Sequence, residues 1–203
     1  DKQDFQRFPG PGGTNPFQIR NASAATISGV EFEFQAQFTE ALSIDGFVGY
    51  LNAEFDDFTS IDNQSPIGGG SRQLAGNKLP YSPEWSAQMG LQYDWELGEL
   101  GSLSARGDYS WKDDQWSNAF NRTAAANGLQ SGGGTDGDRI PSYYQVNARL
   151  QWTSPESNWR AELHVKNLTD ELILSDLFLS NVNFIYGTYL PPRTYGLKLT
   201  YSF

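Results

Sequence analysis

The sequence contains no cysteine. Disulfide bridges, thiolate chemistry and most structural zinc sites are therefore excluded together. Histidine is nearly absent: His164 stands alone, so no multi-histidine metal centre can form. Positive charge is also scarce. Lys and Arg number 14 against 24 Asp and Glu, a net charge of −10, which leaves little to neutralise phosphates and makes nucleic acid a poor partner. No run of about 18 apolar residues occurs, so a transmembrane helix is not expected. That test does not touch a transmembrane barrel, whose strands alternate and never score as hydrophobic runs. The opening residues, DKQDFQRFPG, lack a basic segment followed by an apolar one. We therefore expect that a leader has been removed or that the natural start lies upstream.

Apolar residues make up only 38% of the chain, yet aromatics reach 14%, so its apolar material sits in few, large side chains. An ordinary domain carries about 45–50% apolar residues. The dominant pattern is period-2 alternation in seven ribbons. In GVEFEFQAQF, Val30, Phe32, Phe34, Ala36 and Phe38 share a face opposite Glu31, Glu33, Gln35 and Gln37. LSIDGFVGYLNAEF keeps Leu42, Ile44, Val48 and Tyr50 in phase, but Phe47 and Leu51 fall out of it. A bulge near Gly46 or Gly49 is expected there. EWSAQMGLQYDW, SLSARGDYSW, YYQVNARLQW, NWRAELHVKN and the closing RTYGLKLTYSF alternate more cleanly.

The connections are short and long by turns. TEA, ELGELG and TSPESN are tight. Long stretches run roughly over 56–83, 112–141 and 170–192, with a further one opening the chain, and are rich in Gly, Asn, Ser, Asp and Pro. Such composition favours turns and irregular structure. Only AFNRTAAANG is expected to form a helical turn or two.

Two all-β solutions compete. A soluble sandwich buries one face of each ribbon against a second sheet. A membrane barrel turns that face to lipid and encloses the polar one. Three features favour the barrel. Aromatic residues bracket the ribbons, as Trp85 and Trp95, Tyr144 and Trp152, or Tyr195 and Phe203 do, which is the layout of two interfacial girdles. Each ribbon is about the length a tilted membrane strand needs, and longer than most soluble strands. Finally, tight turns on one side and long loops on the other suit a barrel. The fold expected is all-β, a transmembrane antiparallel β-barrel. A strand closing such a barrel would pair on both sides, which explains an apolar, aromatic chain end. Because single-chain bacterial barrels have even strand numbers, seven ribbons are expected to be part of a larger one.

The segments NASAATISGVEFEFQAQFTEALSIDGFVGYLNAEF, GNKLPYSPEWSAQMGLQYDW, IPSYYQVNARLQW, WRAELHVKNLTDE and PPRTYGLKLTYSF together resemble the C-terminal part of a TonB-dependent outer-membrane receptor. The NLTDE step, the variable loop, Pro-Arg and the aromatic-ended last strand carry the resemblance in combination. It implies that residues 1–203 form about seven strands of a 22-stranded barrel in the bacterial outer membrane, with a plug domain not present in this chain. The rest of the barrel and the plug belong to the same protein or to a separate chain. The function implied is energy-coupled import of a scarce nutrient such as a ferric siderophore, powered by an inner-membrane complex acting through the plug. A passive porin-like channel is the alternative, and an outer-membrane enzyme a lesser one. Outer-membrane lipid and lipopolysaccharide would surround the wall, a small-molecule ligand would enter through it, and no cofactor is implied. Phe203 would be the terminal aromatic read by the assembly machinery, and the three tight turns would be periplasmic.

On this reading Arg106, Asp108, Arg149, Arg160, Glu162, His164 and Lys166 point into the lumen. They serve there as plug contacts or transport path, or simply as a solvated, mutually paired wall. His164 as a catalytic base would need a nucleophile beside it; Ser104 and Ser110 share its face, but nothing in the sequence brings either next to it. The loop aromatics Trp116, Phe120, Phe184, Tyr186 and Tyr189 are the ligand-binding candidates, since rigid rings grip bulky solutes at low entropy cost. Packing of loop on loop is the plainer alternative. The acidic pairs Asp56/Asp57 and Asp113/Asp114 and the TDGD run at 135–138 could hold calcium, but they lack its loop spacing and read better as hydrated acidic loops.

Overall fold

The computed structural model describes residues 3–6, 18–21, 24–61, 71–123, 137–179 and 185–203. Fifteen strands follow in chain order: β1 (Gln3–Gln6), β2 (Gln18–Asn21), β3 (Ala24–Gln37), β4 (Leu42–Asp57), β5 (Thr59–Ile61), β6 (Ser71–Gln73), β7 (Trp85–Glu96), β8 (Ser102–Lys112), β9 (Gln115–Trp116), β10 (Arg139–Ile140), β11 (Tyr143–Thr153), β12 (Trp159–Lys166), β13 (Leu174–Leu179), β14 (Ile185–Tyr189) and β15 (Thr194–Tyr201). A single 3-10 turn, Gly98–Leu100, is the only helical element among the described residues. The helical turns expected within AFNRTAAANG are not formed over its described residues, 119–123, which make turn and coil. The rest of that segment lies outside the described residues.

Seven long strands, one for each alternating ribbon, make a single antiparallel meander in the order β3-β4-β7-β8-β11-β12-β15. The register carries the alternation from strand to strand: Tyr50 lies opposite Trp85, Trp95 opposite Leu103, Leu103 opposite Trp152 and Leu163 opposite Leu197. Apolar residues therefore collect on one face of the whole sheet. Among the described residues no second layer covers them. Leu91 is 49% exposed, Leu197 71% and Leu199 63%, which excludes a sandwich.

Two aromatic belts bound this face. Tyr50 and Trp85, with ring centroids 4.9 Å apart, mark one edge alongside Trp111 and Tyr144. Tyr93 and Trp95 at 4.6 Å, and Trp159 and Tyr201 at 4.7 Å, mark the other. Ten steps separate Trp85 from Trp95; at about 3.4 Å each and a tilt of about 45° they span about 24 Å, close to the apolar band of an outer-membrane barrel. Between the belts this face carries no charged residue.

The expected bulge at Gly46 or Gly49 does not exist. Pairing of β4 runs unbroken from Ser43 to Phe55 against β3 and from Leu42 to Tyr50 against β7; the register shift falls at Ala24/Ala25 instead. Phe47 and Leu51 simply project from the polar face, and Leu51 joins a buried cluster above it. The described residues of the long loops hold more strand than their composition suggests. These pair as two-stranded antiparallel ribbons, referred to as hairpins: β1 with β2, β5 with β6, β9 with β10 and β13 with β14.

Buried packing is confined to the end of the sheet that carries these hairpins, where β4 runs on past Leu51 to Phe55. Ala53, Phe55, Phe58, Leu74, Leu79 and Ala119 form one core cluster, and Ile140, Leu174 and Leu177 a second. Hydrogen bonding ties the tight turns at the opposite end, where the Trp152 Nε1–H donates to the Leu100 carbonyl at 2.7 Å. β3 and β15 are the two edges of the sheet; β15 pairs only with β12 among the described residues.

Candidate functional site

Two sets of candidate side chains follow from this architecture, one on the polar face of the sheet and one in the cap of hairpins at its end. The polar face brings together all seven charged residues expected on it. Arg149 lies opposite both Arg106 and His164, Asp108 opposite Asn147, Glu162 opposite Lys198, Arg160 opposite Thr200 and Lys166 opposite Thr194.

Within this array Arg106 is the organised centre. Its guanidinium grips Asp45, two strands away, through Nη1–Oδ1 at 2.6 Å and Nη2–Oδ2 at 2.9 Å, and its Nε donates to Asp108 at 2.8 Å. A bidentate carboxylate grip of this kind is specific in geometry and charge-assisted. It crosses β7 at Gly90, where an added Cβ would sit 2.0 Å from Nη2 of Arg106. Glycine is required there for the close approach. His164 lies the same way over Gly196, whose added Cβ would come 2.4 Å from its Nε2. Glu162 Oε1 is 3.3 Å from His164 Nδ1, a contact that falls outside hydrogen-bond geometry and leaves this buried nitrogen without a formal partner. Ser104 and Ser110 make no hydrogen bond to His164 Nδ1.

In the cap, loops distant in sequence are tied together. The Lys78 backbone N–H donates to Asn121 Oδ1 at 2.6 Å, and Asn77 Nδ2 donates to the Ala119 carbonyl at 2.9 Å. Lys78 Nζ contacts Glu84 at 2.5 Å and Glu54 at 3.0 Å; the hydrogen bond to Glu84 above all holds its ammonium pKa above the usual lysine value. Tyr81 N–H donates to the Trp116 carbonyl at 2.9 Å, and its hydroxyl donates to Asp176 on β13. Partial burial, and then that acceptor, push the Tyr81 phenol pKa up. Arg139 Nε donates to Asp114 at 2.7 Å and holds its carboxyl below the ordinary carboxylate range. Arg122 and Asp138 form an ion pair at 2.9 Å with side chains only 5% and 0% exposed.

The aromatic candidates divide. Phe120 packs against the first buried cluster and carries the Arg122 guanidinium 4.8 Å above its ring. Trp116 is half-buried in β9, opposite Arg139. Tyr186 and Tyr189, on β14, are 60% and 49% exposed, and Tyr186 lies opposite the exposed Phe178. Phe184 lies outside the described residues. So do Thr135 and Asp136 of the TDGD run; its Asp138 is engaged by Arg122, and no group of three acidic or histidine side chains suited to a metal ion occurs among the described residues. Phe203 is fully exposed and meets Tyr201 edge-on at 5.0 Å. Sequence reasoning missed Asp45, Gly90 and Gly196. Asp45 sits in the ribbon whose phase breaks, and the glycines show their purpose only once neighbouring strands are aligned.

A one-sided apolar sheet between aromatic belts, with a polar face behind it and a cap of hairpins at one end, defines the wall of an outer-membrane-type β-barrel. Residues 1–168 match the TonB dependent receptor-like β-barrel family. The chain belongs to that family. Among solved structures it resembles the ferric yersiniabactin uptake receptor of Yersinia pestis, at 19% identity and a TM-score of 0.69, over 92% of this chain and 25% of the other. It also resembles two receptors of Acinetobacter baumannii. For the siderophore receptor PiuA the values are 18% identity and a TM-score of 0.63, over 87% and 22% of the two chains. For the ferric preacinetobactin receptor they are 18% and 0.62, over 98% and 25%. The chain thus spans about a quarter of the length of these receptors, as a partial barrel with the same fold.

Proposed function

We propose that this chain is the C-terminal wall of an energy-coupled transporter in the bacterial outer membrane that imports a scarce nutrient such as a ferric siderophore. The observation that carries the reading is the two-faced sheet: an exposed, charge-free face between aromatic belts, backed by a charged face. Hydrocarbon accepts the first, and an enclosed aqueous or plugged lumen suits the second. Arg106, Asp108, Arg149, Arg160, Glu162, His164 and Lys166 then line that lumen. The open edges of β3 and β15 call for neighbouring strands, because an unpaired edge in lipid costs several kcal/mol per group. The rest of the barrel, and a plug coupled to an inner-membrane complex, complete the transporter. Phe203 is the assembly signal at its end.

In this reading Tyr186, Tyr189, Trp116 and Phe184 meet the solute at the outer mouth, while Phe120 supports the cap on which they stand. The substrates in the neighbours' names, ferric yersiniabactin, a siderophore and ferric preacinetobactin, support an iron complex as cargo. The test is uptake of labelled ferric chelates by iron-starved cells carrying or lacking the full-length gene. Gene-dependent uptake that stops when the proton gradient is discharged is expected. Uptake that persists without the gradient overturns the reading in favour of a passive porin-like channel.

A further inference from the structure

The last strand of the sheet meets its partner without a tight turn to align it. Residues 167–193 lie between Lys166 and Thr194, the ends of β12 and β15 that face each other. A short hairpin takes its register from its turn type, and a connection this long does not. The two faces of the sheet fix the register only in part. A slip of one residue would turn every apolar side chain of β15 to the polar face, but a slip of two keeps the alternation. Leu163 would then meet Tyr195 or Leu199 in place of Leu197, an apolar partner each time. Something besides patterning must select among these registers.

A knot of hydrogen bonds sits where the selection has to be made. Asn167, directly past the end of β12, is 1% exposed and has a φ of 53°. Its Nδ2 donates to the Glu171 carbonyl at 2.9 Å and to the Pro191 carbonyl at 3.4 Å, and its Oδ1 accepts from the Glu171 N–H at 2.9 Å. Its own N–H donates to Asn147 Oδ1 on β11 at 3.0 Å. Asp170, with a φ of 57°, accepts at Oδ1 from the backbone N–H of Arg193, the residue before β15, at 2.9 Å. The Arg193 guanidinium closes back, with Nη1 donating to the Leu168 carbonyl at 3.2 Å and Nη2 3.7 Å from Asp170 Oδ2. The Leu190 N–H donates to the Ile173 carbonyl at 2.9 Å and completes the base. Asn and Asp suit these posts, because they tolerate a positive φ and bond to nearby backbone. None of these bonds involves β13 or β14. A second selector lies within the ladder: the His164 imidazole rests over Gly196, and either two-residue slip would put Thr194 or Lys198 beneath it.

We infer that Asn167, Asp170 and Arg193 form a register clasp, which seats β15 on β12 with Gly196 opposite His164 and isolates that pairing from the β13–β14 hairpin. The hairpin can then be displaced, or exchanged for another, without shifting the last strand of the wall. The three residues are positioning residues: they touch no solute and act through the alignment they impose. The inference concerns strand pairing and holds whether the barrel imports its solute or conducts passively.

The test is disulfide trapping in the full-length receptor, where no cysteine of this chain competes. Leu163→Cys/Leu197→Cys sets two thiols directly opposite, within disulfide reach. Leu163→Cys/Leu199→Cys and Leu163→Cys/Tyr195→Cys set them on diagonals of about 7–8 Å, out of reach unless β15 slips by two. Heat-modifiable migration confines the reading to folded barrels. With the clasp intact, the opposite pair is expected to cross-link and the diagonal pairs to stay at background. Asn167→Gly/Asp170→Gly removes the clasping side chains yet suits the left-handed backbone. It is expected to raise diagonal cross-linking at least about tenfold, the equivalent of losing a pair of hydrogen bonds. Asp170→Asn keeps the acceptor for the Arg193 N–H and should stay near the intact pattern. If the double variant does not fold, Asn167→Gly alone is read the same way. Replacing residues 174–189 with an Asn-Gly turn is expected to leave the pattern unchanged. Folded clasp variants that cross-link as the intact receptor does overturn the inference, and so does slippage on removal of the hairpin. Either result leaves the import reading standing, since that reading is decided by uptake.

Discussion

Arg106 reaches over Gly90 to hold Asp45, with both oxygens of the carboxylate engaged at 2.6 and 2.9 Å. The path exists because Gly90 has no Cβ. Gly90→Ala is therefore expected to push the guanidinium aside and cost about 1 kcal/mol, since Asp45 is partly solvated and the pair is screened. Asp45→Asn should cost a similar amount. In a double-mutant cycle, read from urea unfolding of the full-length receptor in lipid vesicles, the two losses should fall well short of additive. Full additivity would show that Gly90 serves something other than this ion pair.

The face that bears Leu197 should tolerate no charge. Leu197 lies mid-strand in β15 and is 71% exposed, with Leu163 as its cross-strand neighbour. Leu197→Arg is expected to cost about 2–4 kcal/mol in the same unfolding measurement, the range for a cation at the bilayer midplane. Thr200→Arg, on the opposite face, should stay within about 0.5 kcal/mol. Equal costs at the two positions would contradict the assignment of the faces.

How much of this was legible in the sequence depends on the residue. Trp85 to Trp95, Tyr144 to Trp152 and Tyr195 to Phe203 announce their strands because one face meets a uniform apolar surface, so the period stays clean. The phase break at Phe47 and Leu51 misled, because alternation alone cannot separate a bulge from apolar side chains on the polar face. Leu51 is there because the cap core begins at that level. The outer hairpins were missed for a related reason. Strands as short as Thr59–Ile61 or Gln115–Trp116 carry no period, and their order comes from contacts such as Asn77 to Ala119, far apart in the chain. Of the polar face, Arg106 and His164 were visible, but Gly90 and Gly196 acquire meaning only from register.

Acid should loosen the β9–β10 hairpin. Asp114 is held below its usual pKa mainly by the hydrogen bond from Arg139, so its folded-state value lies under the unfolded value of about 3.9. The stabilisation is complete above that unfolded value and is lost as pH falls through the depressed one. Trp116, paired with Arg139 in the hairpin, can report the change. The fluorescence difference between wild type and Trp116→Phe should hold steady down to about pH 4 and shift below it. Arg139→Gln should move that shift upward toward the unfolded value.

The buried pair Arg122–Asp138 gives the cap its sharpest dependence on a single side chain. Asp138 is wholly inaccessible, and its Oδ2 accepts from both the backbone N–H and the Nε of Arg122, at 3.0 and 2.9 Å. Its other oxygen, Oδ1, is buried without a partner. Two ions taken out of water leave little net gain while both are present, but removing one strands the other. Asp138→Ala is therefore expected to destabilise the cap by about 3–5 kcal/mol, and Arg122→Met by a comparable amount. Arg122→Met/Asp138→Leu, which removes both charges and refills the volume, should recover most of that loss. Limited proteolysis of the outer loops on intact cells reads all three variants without disturbing the membrane wall. A double variant as fragile as either single one would show that the pair contributes attraction beyond the cost of burying its charges.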